Sequence, residues 1–334
     1  MGMWVTWRLG GPAATPPGAC YRVRAVRILF ITASRIGDAV LSTGLLDHLI
    51  RTHPGARITV ACGPAAEGVF ARMPNRERTI VLAKRRGRLH WLDLWRQAAL
   101  TRWDLVVDLR ASAFAWTVPA RRRLVAKGGR QPAHRVKQLG ALLGLDPPPL
   151  PMAWFDAADA TRAAVLLPGP GPWVALGPTA NWDRKVWPAE RFVALFRTLT
   201  APDGPLPGAR AAILGGPGGQ EAAMAAPVLA ALGPAQAADL VGRLALPEAA
   251  AVVARAALFV GNDSGLMHLA AAVGTPTLGL FGPSRVEEYA PAGRRASPVV
   301  APSSPALGSI EDITVAAALV AAGRLLSSGE RVPA

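Results

Sequence analysis

Apolar residues along this chain fall into short runs, each followed by a turn and then by a stretch long enough for a helix. Such runs at Arg27 to Thr32, Arg57 to Ala61, Thr79 to Leu82 and Leu105 to Leu109 predict four strands. The segment AVLSTGLLDHLI, Ala39 to Ile50, predicts the first helix. Strands separated by helical crossovers make a parallel sheet. The cluster DPPPLP at Asp146 to Pro151 cannot continue a helix and marks the edge of a linker. A second series follows it, with strands at Trp173 to Leu176, Ala211 to Leu214, Leu258 to Val260 and Thr277 to Leu280. They alternate with helices near Ala189 to Thr200, Gln220 to Leu232, Pro247 to Ala256 and Gly265 to Val273. The expectation is an α/β protein of two domains, residues 25–155 and 156–334, behind a flexible tail at 1–24. Composition alone leaves room for one large open sheet.

With 51% hydrophobic and 18% charged residues, 334 residues can fill two cores, and a disordered chain is excluded. No apolar run reaches the roughly 18 residues that span a bilayer, because Arg255 interrupts the longest candidate. Cys20 and Cys62 have neither zinc nor redox spacing, which points to a reducing compartment, the cytoplasm by default. Charge is divided unevenly. Residues 1–150 carry 24 Lys and Arg against 8 Asp and Glu, whereas residues 151–334 carry 13 against 14. A basic half attracts acidic partners such as anionic lipid or a polyanionic saccharide, or is simply a solvated face. Nucleic acid is not expected, for zinc spacing, a helix-turn-helix and an RNA-binding aromatic platform are all missing.

Ligands of open parallel sheets sit beyond the carboxyl ends of the strands, and the polar residues of interest follow predicted strands. In AALFVGNDSGLMHLAAAVGTPTLGLFGP, Ala256 to Pro283, a strand enters a Gly-Asn-Asp-Ser-Gly turn and a helix opens near Ser264. A helix start with nearby glycines suits a diphosphate; Asp263 and Ser264 could equally serve as caps. Asp38, in the first turn of its helix, either complements the helix dipole or takes a proton from an attacking hydroxyl. Lys185, in the loop GPTANWDRKVWP, is either a solvated cation or a charge set against a departing diphosphate. Glu221 follows the glycines Gly215 and Gly216. No carboxylate or histidine cluster has metal-ligand spacing, so no metal is expected.

The run GNDSGLMHLAAAVGTPTLGLFGPS resembles the signature of glycosyltransferase family 9, which contains the ADP-heptose:lipopolysaccharide heptosyltransferases. RILFITASRIGDAVLSTGLLDHLIRTHPGARITVAC, DLVVDLRAS and WVALGPTANWDRKVWPAERFVALFRTL resemble further segments of that family in the right order. The resemblance implies a GT-B fold, two Rossmann-like domains facing a central cleft, with acceptor held by the first domain and donor by the second. It implies a general base at Asp38, an acceptor site including Gly37, Arg110 and Ser112, and a donor site of Thr179, Lys185, Glu221, Asp263, Ser264, Gly265 and His268. It also implies a nucleotide-sugar co-substrate, ADP-heptose, no other cofactor, and an acidic lipid-linked saccharide as acceptor. A nucleotide-sugar-binding protein or an epimerase of the same fold is the alternative. Finally, the basic run KRRGR at Lys84 to Arg88 precedes Trp91 and Trp95, four residues apart and so on one helix face. This is expected to be either a membrane contact on the inner leaflet or core tryptophans beside a solvated charge run.

Overall fold

The computed structural model describes residues 25–84, 86–129, 132–302 and 308–328. The expected tail, Cys20 and Arg85 lie outside the described residues. The first half contains β1 (Arg27–Ile31), α1 (Ile36–Thr52), β2 (Arg57–Cys62), β3 (Arg76–Val81), α2 (His90–Ala98), β4 (Trp103–Asp108), β5 (Ala120–Val125) and α3 (Arg135–Leu142). Its strands form one sheet in the order β3-β2-β1-β4-β5, with every pair parallel.

The second half opens with α4 (Ala157–Leu166), β6 (Trp173–Gly177), α5 (Ala189–Thr200), β7 (Arg210–Ile213), α6 (Gly219–Gln236), β8 (Ala237–Asp239) and α7 (Leu246–Ala254). It continues through β9 (Leu258–Asn262), α8 (Gly265–Val273), β10 (Thr277–Phe281), α9 (Val286–Tyr289), β11 (Ala296–Val300) and α10 (Val315–Ser327). This sheet is also parallel throughout, in the order β11-β10-β9-β6-β7-β8. The two-sheet α/β architecture expected from the hydrophobic pattern is therefore present. Three strands had no counterpart among the expected elements, namely β5, β8 and β11.

Each sheet buries its outer face under its own helices. Leu94, Trp103 and Phe114 belong to the outer cluster of the first half, and Trp187, Phe192 and Phe196 to that of the second. A third cluster is shared. It runs from Ile28, Phe30, Val40 and Leu45 in the first half to Ala175, Leu214, Val252 and Phe259 in the second without a break. Helix α1 packs on α8 and α4 packs on α7. Because α1 is covered on several sides, even its hydroxyls are buried. Ser42 and Thr43 bond back to the carbonyls of Ala39 and Val40 at 2.7 and 2.6 Å. Thr43 also accepts the Met152 N–H at 2.8 Å, and a Cβ at Gly44 would stand 2.5 Å from the Pro149 carbonyl oxygen. The proline-rich linker thus crosses α1 at a position only glycine leaves open. Arg72 then fixes the start of α4 by ion pairs to Asp156 and Asp159 at 2.8 and 2.9 Å.

Candidate active site

The carboxyl end of the second sheet gathers the polar residues. Asn262, fully buried at the end of β9, accepts the Trp187 N–H at 3.0 Å and so sets the loop that carries Lys185. The Lys185 Nζ donates to Asp263 Oδ2 at 2.5 Å, which brings an ammonium to the start of α8. Ser264 occupies the N-cap position of α8, yet its hydroxyl makes no capping bond. It is one of several buried side-chain atoms with no protein partner among the described residues, with Asn262 Nδ2, His268 Nδ1 and Ser284 Oγ. Each orphan of this kind costs about 1–3 kcal/mol, and a helix N-terminus with a cation beside it offers that surface to an anion.

Thr179 is buried against Gly215, where a Cβ would approach its methyl to 3.0 Å. Glu221 is anchored by the Gly216 N–H, 2.9 Å from Oε2. Gly177 faces the Phe259 ring, and a Cβ there would lie 2.9 Å from Cζ. Trp182 is exposed, and the Arg184 guanidinium lies 5.2 Å from its ring centre.

The facing lip belongs to the first half. Asp38 lies in the first turn of α1. Burial raises its pKa above the ordinary carboxylate value, Arg135 and Arg35 pull it back down, and Asp263 across the cleft pushes it up. Gly37 is in contact with His268, for a Cβ on it would stand 2.9 Å from the ring carbon Cδ2; a Cβ on Gly265 would stand 2.8 Å from Ile36 Cγ2. Two helix starts, one from each half, therefore meet at glycines. Burial pushes the His268 pKa down to about 4; Asp263 opposes this, and His134 and Lys185 add to it, so the ring is neutral at physiological pH. Tyr289 faces the same pair of arginines: burial raises its pKa, and Asp38 raises it further. His134 spans the two halves. Its Nδ1 accepts the Val136 N–H at 3.2 Å, so Nε2 carries the hydrogen and donates to the Ala290 carbonyl at 2.9 Å.

Arg110 and Ser112 follow β4, at the same end of the sheet, but their side chains are held by neighbouring groups. Buried Asp108 accepts the Arg110 N–H at 2.8 Å, the Ser112 N–H at 3.1 Å and the Ser112 hydroxyl at 2.5 Å. Ala111 between them takes the left-handed φ of 52°. The Arg110 guanidinium rests over Trp91, 5.0 Å from the ring centre. Every residue expected at the site thus lies at the carboxyl end of one sheet or the other. Arg35, His134, Arg135, Asn262, Ser284 and Tyr289 join them unforeseen. Arg35 and Asn262 sat inside the motifs already singled out; Tyr289 had no local pattern to mark it.

Two parallel-sheet domains with their carboxyl ends turned to one cleft, a helix start on one lip and a carboxylate on the other, make the GT-B architecture. The chain belongs to glycosyltransferase family 9, the heptosyltransferase family, whose model matches residues 110–310. Lipooligosaccharide heptosyltransferase 2 of Haemophilus influenzae is 25% identical over 311 residues, spanning 81% of this chain and 88% of that protein. Two solved structures share the fold. A family 9 glycosyltransferase from Veillonella parvula superposes with a TM-score of 0.74 at 21% identity, covering 91% of this chain and 98% of that one. The ADP-heptose lipopolysaccharide heptosyltransferase II of Escherichia coli does so with a TM-score of 0.72 at 23% identity, covering 91% and 100%. Among the described residues, no helix is long and apolar enough to cross a membrane, and no group of three or more His, Cys, Asp or Glu could hold a metal ion.

Proposed function

We propose that this protein is an inverting, metal-independent transferase that moves heptose from ADP-heptose to an acidic, lipid-linked saccharide of the lipopolysaccharide core, at the cytoplasmic face of the membrane. The observation that carries this reading is the opposition of Asp38 on one lip to Lys185 and the α8 N-terminus on the other. In a single displacement the acceptor oxygen bonds to the anomeric carbon as the bond from that carbon to the diphosphate oxygen breaks. The hydroxyl proton passes to Asp38, and the electron pair leaves with ADP. Base and leaving group must then stand on opposite sides of the sugar, which inverts the anomeric centre. Lys185 and the unpaired N–H groups of α8 meet charge that grows as ADP departs, so they favour the transition state over the ground state. These groups supply the positive charge that a divalent cation would otherwise bring. Arg35 and Arg135 beside Asp38 suit an acidic acceptor, in keeping with the excess of 24 basic over 8 acidic residues in the first 150. The name of the Escherichia coli structure supports the donor, and that of the Haemophilus influenzae relative supports the acceptor class.

The test is Asp38→Asn assayed for transfer and, by calorimetry, for ADP binding. Turnover should fall by about 10²–10⁴-fold, the usual worth of a general base, while ADP affinity stays near that of the parent. Near-normal turnover in the folded variant would return Asp38 to a helix-dipole role. A panel of ADP, UDP and GDP in the same calorimeter checks the nucleotide independently.

A further inference from the structure

Helix α2 has two apolar faces, and only one of them is covered. His90, Leu94 and Ala98 point into the outer core of the first half. Trp91 joins them, its ring stacked on Phe114 with 5.8 Å between centres and covered by the Arg110 guanidinium. Trp91 and Trp95, expected to be either both free or both core, are therefore divided between the two environments. Instead Leu89, Leu92 and Trp95, at a spacing of three, are 48%, 41% and 43% exposed. Trp95 donates its indole N–H to the Thr117 carbonyl at 3.2 Å, which sets it beside Trp116, itself 69% exposed. Leaving four such side chains in water opposes the hydrophobic effect, and an exposed apolar patch of this kind marks a contact surface.

The surrounding charge selects the occupant. Residues 84–127 hold eleven Lys and Arg against three acids. Of those acids, Asp93 pairs with Arg96 at 3.8 Å, Asp104 pairs with Arg121 at 3.6 Å, and Asp108 is buried. Lys84, Arg86, Arg96, Arg121 and Arg122 are exposed around the patch. Tryptophan and leucine ringed by cations match an anionic lipid surface, where indoles settle at the headgroup boundary and cations meet the phosphates.

We propose that Leu89, Leu92, Trp95 and Trp116, with the cations around them, dock this protein on an anionic membrane. Arg110, in the loop after β4 at the cleft end of the sheet, covers Trp91 and so sets helix α2, which carries this face, beside the cleft. An acceptor anchored in the same leaflet would thus be presented beside Asp38. The purpose rests on the proposed lipid-linked acceptor, but docking itself is read without donor or acceptor, so either idea can fail alone.

The experiment is co-sedimentation of the full chain with phosphatidylcholine vesicles with and without phosphatidylglycerol, alongside tryptophan fluorescence. The parent should bind the anionic vesicles, with a blue shift, and salt should weaken the binding. Trp95→Gln combined with Trp116→Gln should weaken binding about tenfold or more, equivalent to about 1.4 kcal/mol, with ADP affinity unchanged. Since Trp95 is hydrogen-bonded, Trp116→Gln alone serves as the variant least able to disturb folding and should lose part of the same affinity. Arg121→Gln with Arg122→Gln should remove part of the salt-sensitive binding. The proposal is overturned if the parent ignores anionic vesicles, or if the tryptophan variants bind as the parent does. It is also overturned if those substitutions abolish a self-association of the chain instead, which would give the face to a second copy.

Discussion

Replacing Gly37 with alanine tests whether the two halves truly meet at the starts of α1 and α8. Alanine is the better helix former by about 0.5–1 kcal/mol, so at an open first-turn position the change would stabilise. Here the new methyl would lie 2.9 Å from His268 Cδ2, below the separation that real contacts allow, with Nε2 in ordinary contact at 3.5 Å. His268 is only 4% exposed, so moving its ring means displacing the side chains packed around it. Overpacking of this sort costs about 1–3 kcal/mol, which outweighs the helix gain and makes the net effect destabilising. Removing the ring should reverse the sign: in a His268→Ala background, Gly37→Ala should be neutral or stabilising. Urea unfolding of the four proteins gives the coupling directly, expected at about 1 kcal/mol or more, and calorimetry with ADP reports whether the donor lip has shifted. If Gly37→Ala cost the same in both backgrounds, or cost nothing in the parent, the contact between the helix starts would be refuted.

Two further outcomes follow from the charges in the cleft. The unfolded chain takes up a proton on His268 near pH 6.5 that the folded chain refuses until about pH 4. Stability should therefore fall as pH drops through that window, and His268→Gln should recover up to about 3 kcal/mol at its lower end in urea melts compared across pH; an unchanged pH slope would contradict the neutral ring. Arg135 draws the Asp38 pKa down against the effect of burial. Arg135→Gln should accordingly move the acid limb of the kcat/KM profile to higher pH, and a limb that stayed in place would separate the two residues.

Most of the interior strands were legible because buried parallel strands are unbroken apolar runs, as in RILFI and RITVAC. The three unforeseen strands are all sheet edges, where that demand relaxes. Strand β5 reads ARRRLV, β11 carries Pro298, and β8 is three residues long. The motif residues were legible for a related reason: Asp38, Lys185, Asp263 and Ser264 each follow a strand whose end is marked by local pattern. Tyr289, His134 and Arg135 come to the cleft only through tertiary packing, and no spacing in the chain announces it. The α2 tryptophans show the opposite failure. Helical spacing gave Trp91 and Trp95 a common face, but Phe114 and Arg110 enclose one and not the other.

The shared cluster that runs from Phe30 to Phe259 makes the protein one mechanical object in spite of its two sheets. A hinge that swung the halves wide apart would tear open an oily seam and part α1 from α8, where glycine lies against imidazole. Severing the chain at the linker and parting the pieces would leave each with half an interior turned to water.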